Sequence, residues 1–240
     1  MSCVAMIFAA GLGTRLYPLT ADKPKALVEV CGKPLLEHII NKLVSNGFND
    51  IVINVHHFGE KIIDYIGKKN FNADIRISDE RQELLDTAGG LKFAEPLFHG
   101  ADDILMYNVD ILSDIDLGVF YQYHRKNGAL ATLAVKNRET SRYFVFDRKN
   151  MQLIGWKDMK SGETKKSRKF GDGVELAFSG IHIVKKEILN YIPSGKKISM
   201  TPLYLELAAE HKIIAYDHSH DDWCDVGKID VVERLNATEQ

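Results

Sequence analysis

Continuous apolar runs alternate with amphipathic ones along the first 135 residues. Val4 to Ala10 is short, apolar throughout and stopped by glycine, the pattern of a strand buried on both faces. Pro34 then opens a stretch that places Leu35, Leu36, Ile39, Ile40, Leu43 and Val44 on one helical face, ended by Gly47. Ile51 to Val55, Asp74 to Ser78, Ile104 to Asn108 and Ala129 to Val135 read as further strands, with helices at Glu60 to Ile66, Gly89 to Leu97 and Leu117 to Lys126 between them. Such alternation predicts βαβ units, hence an α/β, Rossmann-like fold with a mostly parallel (mixed) central sheet flanked by helices. From Tyr143 the strands become shorter and alternating (Tyr143 to Phe146, Leu153 to Lys157, Leu176 to Val184), and the polar stretch Lys157 to Gly173 reads as an exposed hairpin or loop. Helices at Lys185 to Tyr191 and Pro202 to Glu210, a strand at Ile213 to Asp217 and a helix near Ile229 to Ala237 complete the pattern. No repeat or linker interrupts it, so residues 1–240 are expected to form one domain.

The 240 residues are 45% hydrophobic and 27% charged, ordinary globular values that exclude disordered and fibrous classes. Lys plus Arg number 31 and Asp plus Glu 33, a formal charge of −2. That balance argues against binding to nucleic acid or an anionic membrane, which needs a basic face. It leaves open a small phosphorylated ligand, for which two or three local cations suffice. Cys3, Cys31 and Cys224 are scattered and form no CxxC pair, so neither a disulfide framework nor a thiolate zinc site is expected. The apolar start lacks a positive leader region, and no run approaches the roughly 20 residues that cross a bilayer. A reduced, cytoplasmic protein is the expectation.

Ligands of open parallel sheets bind beyond the carboxyl ends of strands, so the loop after the first strand is the first place to look for chemistry. It reads Ala9-Ala10-Gly11-Leu12-Gly13-Thr14-Arg15-Leu16-Tyr17-Pro18-Leu19-Thr20. Leu16 stands where GxGxxG requires its last glycine, and no Gly-Lys-Ser/Thr follows, so neither a dinucleotide fingerprint nor a P-loop is present. Two glycines still let backbone N–H groups approach a phosphate chain, and Arg15 can add a bidentate contact. A plain glycine turn with a surface arginine would look the same in isolation. Lys25, between prolines in Pro24-Lys25 and Gly32-Lys33-Pro34, offers a second phosphate clamp where a solvated lysine is the alternative.

Two aspartates stand at predicted strand ends: Asp110 after Ile104 to Val109, and Asp225 in Trp223-Cys224-Asp225-Val226-Gly227. Beside a polyphosphate such carboxylates are placed to hold Mg²⁺ through oxygen; helix capping or a turn is the alternative role. Gly89-Gly90, after Asp86-Thr87-Ala88, reads as a helix opening whose backbone could approach a nucleobase. His218-Ser219-His220-Asp221-Asp222 has metal-like letters but reads as a solvated pair; His56-His57 ends a strand near the cleft; Lys165 to Lys169 reads as a solvated loop. No Gly-x-Ser-x-Gly or HExxH occurs.

Taken in order, the loop from Ala9 to Thr20, Pro24-Lys25, Gly32-Lys33-Pro34, Asn108-Val109-Asp110, Phe178-Ser179-Gly180-Ile181 and Trp223 to Gly227 resemble the sugar-1-phosphate nucleotidyltransferases (nucleotide-sugar pyrophosphorylases) over nearly the whole chain. Within that family the chain is most similar to the compact N-acetylmuramate-1-phosphate uridylyltransferases of cell-wall recycling, with compact mannose- or heptose-1-phosphate guanylyltransferases as competitors. The resemblance implies an Mg²⁺-dependent enzyme taking a nucleoside triphosphate and a sugar-1-phosphate, as a monomer or weak homodimer. It implies a nucleotide-binding part at 1–135 and a sugar-phosphate-binding part at 136–240. Ala10, Gly11, Gly13, Thr14 and Arg15 would hold the triphosphate, and Thr87, Gly89 and Gly90 would lie against the base. Arg15, Lys25 and Asp110 would be catalytic, Asp110 and Asp225 would bind Mg²⁺, and Asn108, Glu175, Ser179 and Gly180 would face the sugar phosphate. The chain departs from the family pattern at Val109, where glycine is usual, at Ala26, where proline is common, and at Lys228, where threonine often follows. Two other readings are weighed: a CTP-dependent phosphocholine cytidylyltransferase and a non-catalytic, regulatory nucleotide-binding module. Retention of Arg15, Lys25, Asp110 and Asp225 speaks against the second.

Overall fold

A computed structural model describes residues 2–168 and 171–237. In chain order its elements are β1 (Cys3–Phe8), β2 (Glu29–Val30), β3 (Lys33–Pro34), α1 (Leu35–Ser45), β4 (Asp50–Val55), α2 (Gly59–Gly67), β5 (Asp74–Asp79), α3 (Asp86–Phe93), β6 (Asp103–Asn108), β7 (Ile111–Ser113), α4 (Leu117–Asn127), β8 (Ala131–Lys136), β9 (Arg142–Asp147), β10 (Leu153–Asp158), β11 (Thr164–Lys166), β12 (Gly173–Lys185), α5 (Met200–Leu207), β13 (Ile213–Asp217), β14 (Trp223–Asp225) and α6 (Ile229–Ala237). Most were expected; β2, β3, β7 and β14 are too short to show a period.

The central sheet runs β11-β10-β9-β12-β6-β1-β4-β5, with β8 on β12 and β13 on β8. Strands β5, β4, β1 and β6 are mutually parallel, as are β8 and β13. Because β12 is antiparallel to both β6 and β8, those two share a direction, so β1, β4, β5, β6, β8 and β13 all point one way. The β9–β11 hairpins add the antiparallel portion that makes the sheet mixed. Each face of the sheet carries its own core. Val4 and Met6 face a cluster with Val52, Ala88, Leu91 and Tyr204, while Ala5 and Ile7 face Leu36, Ile39, Ile40 and Leu43 of α1. All four β1 residues are fully buried, each side chain contributing on the order of 1–3 kcal/mol, which is why the strand is apolar throughout.

Two expectations change. Helix α3 begins at Asp86, three residues before the expected start, and stops at Phe93, with Pro96 in a separate turn. Gly89 and Gly90 therefore lie inside the helix, buried, rather than at its opening. A Cβ on Gly89 would sit 2.3 Å from the Lys196 carbonyl oxygen, and one on Gly90 2.7 Å from Glu80 Oε1. These glycines let the helix close against neighbouring backbone, with the N–H groups of Ala88 and Gly89 donating to the Ile198 carbonyl at 2.8 and 3.1 Å. Arg168 is the second change: it is no solvated loop residue but donates to Gln152 Oε1 at 3.0 Å and to the Ala208 and His211 carbonyls. Lys169 lies outside the described residues. Among the described residues no helix is long and apolar enough to cross a membrane.

His182 and His218 are buried, and burial lowers the pKa of each. His182 accepts or donates to the Tyr204 hydroxyl at 2.6 Å, and burial drives its pKa to about 3; burial likewise drives His218 to about 4. Below the ordinary value of 6.5 the unfolded chain takes up protons that these native side chains refuse. Their stability contribution is thus complete above about pH 6.5 and is lost as pH falls toward 4 and 3. The steepest loss is about 2.7 kcal/mol per pH unit for both together, and the raised carboxyls of Glu80 and Asp225 oppose it at lower pH. Urea midpoints are expected to drop between pH 7 and pH 5; a flat profile would contradict this.

Candidate active site

Six co-directional strands deliver their following loops to one sheet edge. The loop after β1 is fixed at its root by Asn54 of β4, whose Oδ1 accepts the N–H groups of Ala9 (2.8 Å) and Ala10 (3.3 Å). Asn54 Nδ2 donates in turn to Glu80 Oε1 at 2.9 Å, just past β5. Both side chains are buried, and burial pushes the Glu80 carboxyl up. Further along, Gly13 adopts a left-handed conformation and caps the turn Thr14–Leu16, and Thr20 Oγ1 donates to its carbonyl at 3.0 Å. Leu16, the residue that breaks GxGxxG, is fully buried with Val226, Val28 and Leu35 and so anchors the loop. Gly11, Thr14 and Arg15 remain exposed.

The two predicted carboxylates meet because β7 and β14 pair, Asp225 opposite Ile111, with Val226 N–H donating to the Asp110 carbonyl at 2.8 Å. Lys25 Nζ donates to Asp110 Oδ2, both side chains being largely buried. Arg15 lies over Gly227 and reaches both acids loosely, 4.0 Å from Asp110 and 3.9 Å from Asp225. At 60% exposure its pairing adds little, leaving its guanidinium available to a ligand. The Asp225 carboxyl is pushed up by burial first and by Asp110 next, against the pull of Lys25, Arg15 and Arg138. Its Oδ1 is buried without a partner among the described residues.

On the β12 side, Gly180 sits at φ +77, and a Cβ there would stand 2.9 Å from Asn108 Nδ2 and 2.8 Å from Ile111. Glycine is thus required where β12 crosses the ends of β6 and β7, and it brings Asn108 and Gly180 together. Glu175 accepts from Lys157 and is part-exposed. Ser179 departs from expectation: its side chain is fully buried, 2.7 Å from His218 Nε2, while its carbonyl accepts from Trp223 Nε1 at 2.9 Å. His218, expected to be solvated, is the buried partner, 3.4 Å from Asp221. Asp221, His218 and Ser179 have the letters of a nucleophilic triad, but an enclosed Oγ has no path to substrate, and the trio locks β12 to the 217–223 segment instead. His220 is exposed.

One cavity of about 340 Å³ is lined by Ala10, Gly11, Asn54, Glu80, Thr87 and Lys197 among others; another, about 290 Å³, by Gly11, Gly13, Thr14, Arg15, Lys25 and Gly227. Thr87 therefore reaches the site, although its Oγ1 also accepts from Met200 N–H at 2.9 Å. A larger cleft of about 590 Å³ lies behind β14 and contains neither Asp110 nor Asp225. Sequence reading missed Asn54, Glu80, Lys197 and Arg138. Asn54 had a signal, being the polar residue inside Ile51 to Val55; Arg138 and Lys197 had none.

The sequence model of the Nucleotidyl transferase family matches residues 4–240. An N-acetylmuramate alpha-1-phosphate uridylyltransferase of Caulobacter vibrioides is 32% identical over 88% of this chain and 86% of its own. A mannose-1-phosphate guanyltransferase of Yarrowia lipolytica is 31% identical over 93% of this chain but only 60% of its own, so the chain spans about three fifths of that relative. The solved structure of HddC from Yersinia pseudotuberculosis, complexed with GMP-PN, has the same fold (TM-score 0.78, 22% identity, both chains covered fully). With the charged cleft lying where the family's motifs stand in the sequence, the chain belongs to the nucleotidyl transferase family, as an enzyme of the sugar-1-phosphate nucleotidyltransferase kind.

Proposed function

We propose that the protein transfers a uridylyl group from UTP to N-acetylmuramate-1-phosphate, releasing pyrophosphate and yielding a nucleotide sugar for cell-wall recycling in the cytoplasm. The observation that carries the chemistry is the meeting of Asp110 and Asp225 under Lys25 and Arg15 at the carboxyl edge of the sheet. The substrates rest on the similarity to the Caulobacter vibrioides uridylyltransferase, which runs through nearly all of both chains. An oxygen of the acceptor phosphate attacks the α-phosphorus; the new P–O bond forms as the bond to the bridging oxygen breaks, and pyrophosphate leaves with that electron pair. Both reactants are anions, so like-charge repulsion is a large part of the barrier. Backbone N–H groups of Gly11 to Thr14 and the Arg15 fork hold the triphosphate, and Lys25 offsets charge at the reacting phosphorus.

A divalent cation suits this donor set. Asp225 presents a buried, unpartnered oxygen, and Mg²⁺ is commonly held by one or two carboxylates with substrate phosphates completing its shell. Asp110 and Asp225 would hold it, and it would polarise the phosphate oxygens as a Lewis acid. Among the described residues no group of three acidic, His or Cys side chains is placed to hold a metal by itself.

A second reading, GTP with mannose- or heptose-1-phosphate, is favoured by one feature. Among the described residues Glu80 Oε2 is buried without a partner, in a residue that lines the 340 Å³ cavity, and a carboxylate there could accept the N1–H and amino group of guanine. A matrix of UTP, GTP, CTP and dTTP against N-acetylmuramate-, mannose-, heptose- and glucose-1-phosphate, read by pyrophosphate release, separates the two. UTP with N-acetylmuramate-1-phosphate is expected to dominate by at least tenfold; a GTP preference would replace the first reading with the second.

A further inference from the structure

Arg138 lies just beyond β8 and has no role in holding the triphosphate. Its guanidinium carbon lies 4.1 Å from the centroid of the Trp223 ring, a stacking distance. Among the described residues its Nη2 donates to the Phe178 carbonyl at 3.0 Å, its Nη1 makes a long 3.4 Å contact to the Glu139 carbonyl, and its Nε is buried without a partner. The platform beneath it is fixed. Trp223 Nε1 is bonded to the Ser179 carbonyl, and the preceding turn is held by Lys136 Nζ, which donates to the carbonyls of His218 and Ser219 at 3.2 Å each and to that of Asp221.

Position decides what such a guanidinium does. Trp223 and Asp225 are two residues apart on β14 and so present the same face, which puts Arg138 beside Asp225. Arg15 and Lys25 approach the acids from the β1 loop; Arg138 comes from β8, across β12, next to Phe178 and Gly180. In-line displacement requires the attacking phosphate to enter opposite the leaving pyrophosphate. On the proposed function the donor's phosphates lie on the side of Arg15 and Lys25, so the acceptor would enter from the side of Arg138. Lys157, also on that side, is paired with Glu175.

We propose that Arg138, seated over the Trp223 ring and tied to the Phe178 carbonyl, receives the phosphate group of the acceptor substrate and aims it at the α-phosphorus. This rests on the reading of the acceptor as a sugar-1-phosphate. A stacked guanidinium holds its fork in one plane without further ordering, which lysine cannot imitate.

The test compares wild type with R138A and R138K in steady-state assays, alongside calorimetric titration of N-acetylmuramate-, mannose- and glucose-1-phosphate into each protein. R138A should raise the acceptor KM, and weaken acceptor binding, at least tenfold while the triphosphate KM stays within twofold. R138K should fold like wild type and recover only part of the loss, which keeps the test decisive if R138A is unstable. An unchanged acceptor KM in R138A, or equal rises in both KM values, overturns the assignment and leaves Arg138 a structural prop for Trp223. If wild type neither binds nor turns over any sugar-1-phosphate, the functional reading itself fails and the assignment falls with it.

Discussion

Asp110→Asn is expected to reduce kcat at least a hundredfold while the melting temperature stays within a few degrees of wild type. Asparagine keeps the shape, and an amide oxygen can still accept from Lys25 Nζ. The backbone link from Val226 to the Asp110 carbonyl does not involve the side chain at all. What disappears is the charge. The divalent cation proposed between the acids and the phosphates would lose one of its two carboxylates, and loss of a single well-placed electrostatic group costs about 3 kcal/mol or more in the transition state. Folding loses little, because the substitution also removes the like charge that pushes the Asp225 carboxyl up. Single-turnover rates with saturating triphosphate, read beside calorimetric melting, check both halves. Near-normal turnover would remove Asp110 from the chemistry.

The charged cluster was legible in the sequence because each member stands at an element boundary. Asp110 follows an apolar run, Arg15 follows two glycines, and Lys25 follows a proline. What sequence could not supply was the pairing of β7 with β14, two three-residue strands separated by more than a hundred positions, which alone brings Asp225 to Asp110. Ser179 was misplaced for a related reason. Its neighbours Phe178 and Gly180 match the motif, but which way its side chain points depends on β12 and its packing against the His218 segment. Gly89 and Gly90 read as a helix start because glycine usually disfavours helix interiors; tertiary contact with residues 196–198 overrode that tendency.

Lys25→Ala is expected to have the other large effect, lowering kcat between a hundred- and a thousandfold. Lys25 is held at the first position of a short helical turn after Pro24, its side chain 12% exposed. Removing it strips positive charge from the reacting centre and leaves Asp110 with only the loose 4.0 Å contact to Arg15. Two acids then face each other with less compensation, so the Asp225 carboxyl moves further up and the proposed divalent cation would be held more weakly. The structural cost is smaller, about 1–3 kcal/mol, because the pair is not fully desolvated. Melting should fall by several degrees, and added Mg²⁺ should restore activity only in part. A variant with wild-type kcat would make Lys25 a bystander.

Asn54 joins two things usually considered separately. One side chain carries the amides of Ala9 and Ala10 through its oxygen and the Glu80 carboxyl through its nitrogen. On the proposed function the two ends of the donor nucleotide therefore cannot be adjusted one at a time. A change at Glu80 made to admit a different base would also shift Asn54, and with it the root of the loop proposed to hold the triphosphate. Attempts to retrain the enzyme toward a new nucleotide by altering its base pocket alone should forfeit rate along with the old preference. The productive route is to vary residues 54 and 80 together.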